Sequence, residues 1–238
     1  MKSKLPATHL LRHLVLFLFI SIFLLTMVRA AYVLWQFPKV LETNSFVNVF
    51  LMGLRYDLAL IGLLLIPVIL FGGLIGMFGF GRALAKGLVI LFLMLGMLFI
   101  LLTELITPYF MVEQGVRPSL QELSAISDPV SLIASLWSSY MIPAVIGVVL
   151  CVLIIIAYWS RLETNRLYRF SLSALSAFPL LIVGLVLCAF AVYSQIDPAK
   201  GPLSPQTGVI SAEPVINEIS LNTGYKLLYS VVAPLVGQ

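Results

Sequence analysis

The chain has 238 residues, 61% of them hydrophobic and 10% charged, with a formal charge of +4. A soluble domain carries about a quarter charged residues, so a water-exposed globule is excluded and lipid must cover what polar side chains cannot. The positive balance contains no lysine- or arginine-rich run suited to tracking phosphates, which argues against nucleic acid as a partner.

The first apolar run spans residues 14–34, interrupted by Arg29 and preceded by Lys2, Lys4 and Arg12. A cleaved signal peptide is the rival reading, on the strength of Ala30-Ala31. It conflicts with Arg29 beside the cut and with the apolar run continuing past it. Residues 36–56 read as a linker entering an interfacial turn of helix. Further apolar runs follow at 58–80, with Pro67 inside, and at 87–105.

Residues 108–140 carry start signals. Ser119-Leu120-Gln121-Glu122 is a capping box, and Asp128-Pro129 offers a second helix start. Val130, Ile133, Leu136, Trp137 and Tyr140 recur at helical spacing. They describe an amphipathic helix that either lies on the membrane surface or packs on protein. The last two runs are 141–159 and 172–193. "QIDPAKGPLSPQTG" is then an extended polar linker, and a helix restarts at Pro214.

Each run is close to the ~20 residues that span hydrocarbon as a helix. The expected fold is therefore all-α and polytopic, with five transmembrane helices and short interfacial helices on the outer face. Residues 1–194 form the membrane domain, and 195–238 form an extracytoplasmic linker and juxtamembrane helix. Lys2, Lys4, Arg12, Arg82, Lys86, Arg161, Arg166 and Arg169 all precede or follow spans on one side, which the positive-inside rule makes cytoplasmic. The N-terminus is therefore expected inside and the C-terminus outside. A linker of this kind leads to a further domain, expected beyond Gln238.

Charges in apolar runs are costly, so their depth is informative. Arg29 lies ~22 Å up the first helix and Glu104 ~25 Å up the third, at 1.5 Å per residue. Arg55 and Asp57 sit at the outer start of the second. Arg117 hangs just above this level, as does Glu113. Being two apart, Arg55 and Asp57 point to different sides of a helix, so each needs a partner elsewhere. Arg29, Arg55, Asp57, Glu104 and Arg117 form either a lipid-headgroup site, with arginine forks on phosphate, or an ion-pair network tying helix ends together. No charge lies at the middle of any span, which argues against a proton pump or ion-coupled transporter.

Other chemistry is sparse. Cys151 and Cys188 sit in apolar runs as small reduced residues. His9 and His13 are four apart but have no third ligand beside them. "GFGRALAKG" lacks the Lys-Ser/Thr ending of a phosphate cradle. Gly72 and Gly76 form a GxxxG that permits close helix packing. No catalytic residue and no cofactor is expected within these 238 residues.

"GLRYDLALIGLLLIP" resembles the Arg-Tyr/Phe-Asp signature in the membrane domain of lipoteichoic acid synthase-like, sulfatase-fold phosphoglycerol transferases. "TELITPYFMVEQGVRPSLQELSAISDPVSLIASLWSSY" is similar to that family's segment after the third span. "INEISLNTGYKLLYSV" is similar to its Leu-Asn-x-x-Tyr stretch after the fifth. The resemblance implies an anchor in the bacterial cytoplasmic (inner) membrane for an outward-facing catalytic domain, attached or separate, with a nucleophilic threonine and a divalent metal, manganese being usual. That domain moves glycerol phosphate from phosphatidylglycerol to an envelope glycopolymer. Anionic phospholipid is the implied partner, and Arg55, Tyr56 and Asp57 match the membrane signature. A reading from another class is a non-enzymatic lipid-binding or regulatory subunit that recruits an outer-face partner.

Overall fold

A computed structural model describes residues 7–76, 82–126, 128–162, 174–193 and 203–232. Among them there is helix and turn but no strand. In chain order the helices are α1 (Ala7–Trp35), α2 (Phe37–Glu42), α3 (Phe46–Gly76), α4 (Arg82–Glu113), α5 (Leu120–Ser124), α6 (Pro129–Arg161), α7 (Ala174–Tyr193), α8 (Pro214–Ser220) and α9 (Thr223–Val232), with a 3-10 turn at Pro205–Gly208. Much of the linker, including Lys200, lies outside the described residues, as does the connector bearing Arg166 and Arg169.

Among the described residues four stretches are long and apolar enough to cross a membrane: Leu10–Trp35, Phe46–Ile75, Ala83–Glu113 and Met141–Arg161. The described residues are thus all-helical, with several helices of the length and composition that a polytopic membrane protein requires. The prolines inside α3, α4, α6 and α7 are tolerated in such helices because neighbours re-satisfy the freed backbone groups.

Two elements differ from the sequence expectation. The segment 36–56 is mostly helix: α2 and α3 are separated by a tight turn in which Asn44 adopts φ 48°. Asn is among the few side chains that take this conformation readily. Helix α3 starts at Phe46, so Arg55 and Asp57 lie inside it rather than at its mouth. The stretch 130–140 is not a separate amphipathic helix either. It is continuous with the following apolar run in the 33-residue α6, because Pro143 sits within that helix without ending it. Asp128 does start α6 as expected, its side chain accepting from Val130 N at 2.9 Å. Val130 is exposed. The side chains of Ile133, Leu136, Trp137 and Tyr140 lie outside the described ones.

The described residues fall into two compact units. The first comprises Met1–Phe23, Leu58–Leu98 and Ile155–Pro202. Here α3 and α7 approach closely where glycines remove the Cβ. A methyl at Gly62 would stand 3.1 Å from Cys188 O, and one at Gly184 would stand 3.1 Å from Ile69 Cδ1. Small residues at such contacts are how helices gain packing in lipid. Phe71 stacks on Phe92 with centroids 5.4 Å apart, and Phe17 meets Tyr158 edge-on at 6.3 Å. Cys151 and Cys188 are both free thiols.

The second unit comprises Leu24–Asp57, Phe99–Ile154 and Leu203–Gln238. Its apolar core joins α1, α2, α3, α4 and α8 through Tyr32, Val33, Val40, Val49, Met111, Ile216 and Ile219. Helix α8 starts at Pro214, where the sequence marks a restart. Asn222 breaks the chain between α8 and α9, and its side chain accepts from Tyr225 N at 2.6 Å, capping α9.

Candidate functional site

The second unit gathers the charged residues into a buried polar knot. Arg29 on α1 meets Asp57 on α3 in fork geometry, Nη1 to Oδ2 at 2.7 Å and Nη2 to Oδ1 at 2.8 Å. Their side chains are 2% and 0% exposed. Burying both charges is tolerable because two parallel charge-assisted bonds offset the lost hydration. Gly53 makes room for this pair. A methyl there would overlap the Arg29 guanidinium, including Nη1 at 2.7 Å.

A second pair completes the knot. Gly115, at φ 71°, sits in the turn after α4 and allows Arg117 to come back over Glu104. Arg117 Nη1 donates to both Glu104 oxygens at 3.0 Å. Its Nε donates to Glu218 O and its backbone N to Glu218 Oε2, both at 2.8 Å. The Arg117 Cζ also stands 5.1 Å from the Tyr32 ring centroid, a cation–π distance. Burial alone would lower the Arg117 pKa, but the Glu104 carboxylate outweighs it and the pKa is raised. Arg117 is therefore a fixed cation.

The segment 203–232 is stitched to both pairs. Asn222 Nδ2 donates to Asp57 Oδ1 at 3.0 Å. Thr223 N donates to Glu104 Oε1 at 3.4 Å, and Thr223 Oγ1 accepts from Arg117 Nη1 at 3.2 Å and pairs with Thr107 Oγ1 at 2.6 Å. Lys226 Nζ donates to Arg117 O at 2.6 Å and to Glu218 at 3.2 Å. Tyr56, fully buried beside Asp57, donates to Ser204 O at 3.0 Å. Tyr225 donates to Leu203 O.

Of the sequence-derived residues, the structure brings together Arg29 with Asp57 and Glu104 with Arg117. Arg55 faces another side of α3, where its Nη1 donates to Met52 Sδ at 3.5 Å. Residues not singled out from the charges are Asn222, Thr223, Glu218, Lys226, Thr107 and Tyr32. The Leu-Asn-x-x-Tyr stretch was the available signal for Asn222 and Tyr225. The Arg29 fork is filled by Asp57, and Arg117 is held by the Glu104 carboxylate and the Glu218 carbonyl, so the arrangement acts first as a tether between helices. Among the described residues no group of three or more His, Cys, Asp or Glu is placed to hold a metal ion. The chain matches no protein-family model and no solved structure.

Proposed function

We propose that this chain is the membrane-anchoring domain of a lipoteichoic acid synthase-like phosphoglycerol transferase. In this reading it crosses the bacterial cytoplasmic membrane five times, with α7 as the fifth span, the knot near the outer leaflet and the C-terminus outside. The catalytic domain, metal-dependent and carried outside these residues, draws on anionic phospholipid.

One observation supports this reading above the others. The Arg-Tyr-Asp signature and the Leu-Asn-x-x-Tyr stretch, far apart in sequence, bond to each other where Asp57 accepts from Asn222, and Tyr56 donates to Ser204 in the linker that precedes that stretch. The signature thereby ties down the segment that follows the last apolar helix. An anchor needs that connection, since a catalytic domain must be held at a fixed height over its lipid substrate.

The test is a transfer assay in membranes from cells carrying the parent reading frame, using phosphatidylglycerol labelled in its head glycerol. Label should pass to an acceptor polymer, and the transfer should disappear when the frame is deleted. Lipid binding without turnover would sink the transferase reading in favour of a recruiting subunit.

A further inference from the structure

Helix α2 carries two chemistries on one short turn of chain. At about 100° per residue, Phe37 and Leu41 share one face, and Lys39 and Glu42 share another roughly 150° away. All four are exposed. Val40 points to a third side, is fully buried, and packs with Tyr32, Val49 and Met111. The helix is thus held to the protein sideways and turns one apolar and one charged face outward. Trp35 before it and Phe46 and Val47 after it are exposed as well.

Val40 also fixes the level of α2, because its neighbours Tyr32, Val49 and Met111 belong to α1, α3 and α4. Arg29 lies three residues back from Tyr32, Asp57 eight on from Val49, and Glu104 seven back from Met111. At 1.5 Å per residue the three charges sit about 5, 12 and 11 Å to one side of that level. Between them and α2 the surface stays apolar, with Leu34 on α1 and Leu51 on α3 both exposed. Those helices have membrane-crossing length, so hydrocarbon covers this surface, and it runs on into the Phe37 and Leu41 face.

We infer that α2 is seated in the boundary between the acyl chains and headgroups of one leaflet, and that its partner is the phospholipid surface itself. Phe37 and Leu41 enter the acyl layer, Lys39 and Glu42 stand among the headgroups, and Trp35 and Phe46 mark the margin, where amphipathic aromatic side chains gather. Continuity with the lipid-covered surfaces of α1 and α3 favours lipid over a protein partner. The opposite charges of Lys39 and Glu42 cancel, so the seat takes a zwitterionic bilayer and needs no anionic lipid. Arg29, Asp57 and Glu104 then lie beneath the seat, at acyl depth.

The test uses the full chain in phosphatidylcholine vesicles, with Trp137→Phe and Trp159→Phe leaving Trp35 as the one tryptophan of three. Phosphatidylcholine brominated high on its acyl chains should quench Trp35 severalfold more than the same lipid brominated near the chain ends, and aqueous iodide should quench it little. Nitroxide labels on Leu41→Cys and Lys39→Cys, each in a Cys151→Ala, Cys188→Ala background, read the two faces of α2. The Leu41 label should favour oxygen over a water-soluble nickel chelate severalfold, and the Lys39 label should show the reverse preference. Phe37→Ser with Leu41→Ser, both at exposed positions, should weaken the quenching of Trp35 by bromolipid. Equal access of the chelate to both labels, or quenching of Trp35 by iodide and not by bromolipid, would overturn the seat. So would shielding of both labels from oxygen and chelate alike, the mark of a protein partner or a second copy. None of these readouts involves turnover, so the result stands apart from the transferase reading.

Discussion

Arg29 and Asp57 face each other fork to fork at 2.7 and 2.8 Å, buried, between α1 and α3. Removing one partner leaves an uncompensated charge where water does not reach. Asp57→Ala and Arg29→Ala should each cost roughly 3–5 kcal/mol. Replacing both, as Arg29→Met with Asp57→Leu, should cost clearly less than either single change, because no charge is left stranded. Thermal unfolding of detergent-purified protein reads the ranking. A double variant no more stable than the worse single would show that the pair's value lies in something other than mutual neutralisation.

Asn222 works in two directions. Its carbonyl oxygen caps α9 at Tyr225 N, and its amide donates to Asp57. Asn222→Ala should lose about 1 kcal/mol from the cap and a further ~1 kcal/mol from the buried bond. Asn222→Asp separates the roles, since aspartate caps as well as asparagine does but sets a second carboxylate against Asp57. It should be the less stable of the two at neutral pH. If instead it matches wild type, the contact to Asp57 contributes little. Proteolysis of the segment 203–232, compared across the three proteins, checks whether the loss is local to α9.

The sequence made the membrane class, the long helices, the capping box at Ser119–Glu122 and the start at Asp128-Pro129 readable, because each rests on local composition or local hydrogen bonding. The rise per residue was enough to expect Arg29, Arg55, Asp57 and Glu104 near one level with Arg117 just above, and so to mark them as candidates for pairing. Who pairs with whom was not. Depth along a helix says nothing of which face meets which neighbour, and Arg55 is as deep as Asp57 yet turns towards Met52. Asn222 and Thr223 were harder still. They are uncharged, lie beyond the polar linker, and gain their meaning only when the chain folds back onto α3 and α4. The early start of α3 was hidden because Arg55 and Asp57 look like a boundary. They sit inside the helix, and Arg29 makes that burial tolerable for Asp57.

Gly53 offers a sign test for the first pair. In a helix interior alanine is preferred to glycine by up to ~1 kcal/mol. At Gly53 the added methyl would overlap Arg29, which Asp57 holds in place. Gly53→Ala should therefore destabilise wild type. The same change made in the Arg29→Met, Asp57→Leu background should lose that penalty and approach neutrality or a small gain. The double-mutant difference, measured by thermal unfolding, isolates the clash. An equal cost in both backgrounds would mean the methyl meets something other than the guanidinium.

Glu122 supplies the pH dependence. Burial pushes its carboxyl pKa up, but the hydrogen bonds from Ser119 and from backbone amides, with the charge of Lys226, more than reverse this and the pKa is lowered. Ser119 N donates to Glu122 Oε2 at 2.7 Å, while Gln121 N donates to Ser119 Oγ at 3.2 Å. A depressed folded-state pKa means that the unfolded chain binds its proton first as pH falls. The stabilisation is then present in full above the ordinary glutamate value of about 4.3 and is lost as pH drops through the lower folded value. Glutamine mimics the protonated side chain. The stability gap between wild type and Glu122→Gln should accordingly be constant from neutral pH down to the region of that ordinary value and close below it. Comparing the two proteins across pH cancels the other carboxylates, which titrate in both. A gap that stayed constant under acid would show that the capping box holds through geometry alone, with no contribution from the carboxylate charge.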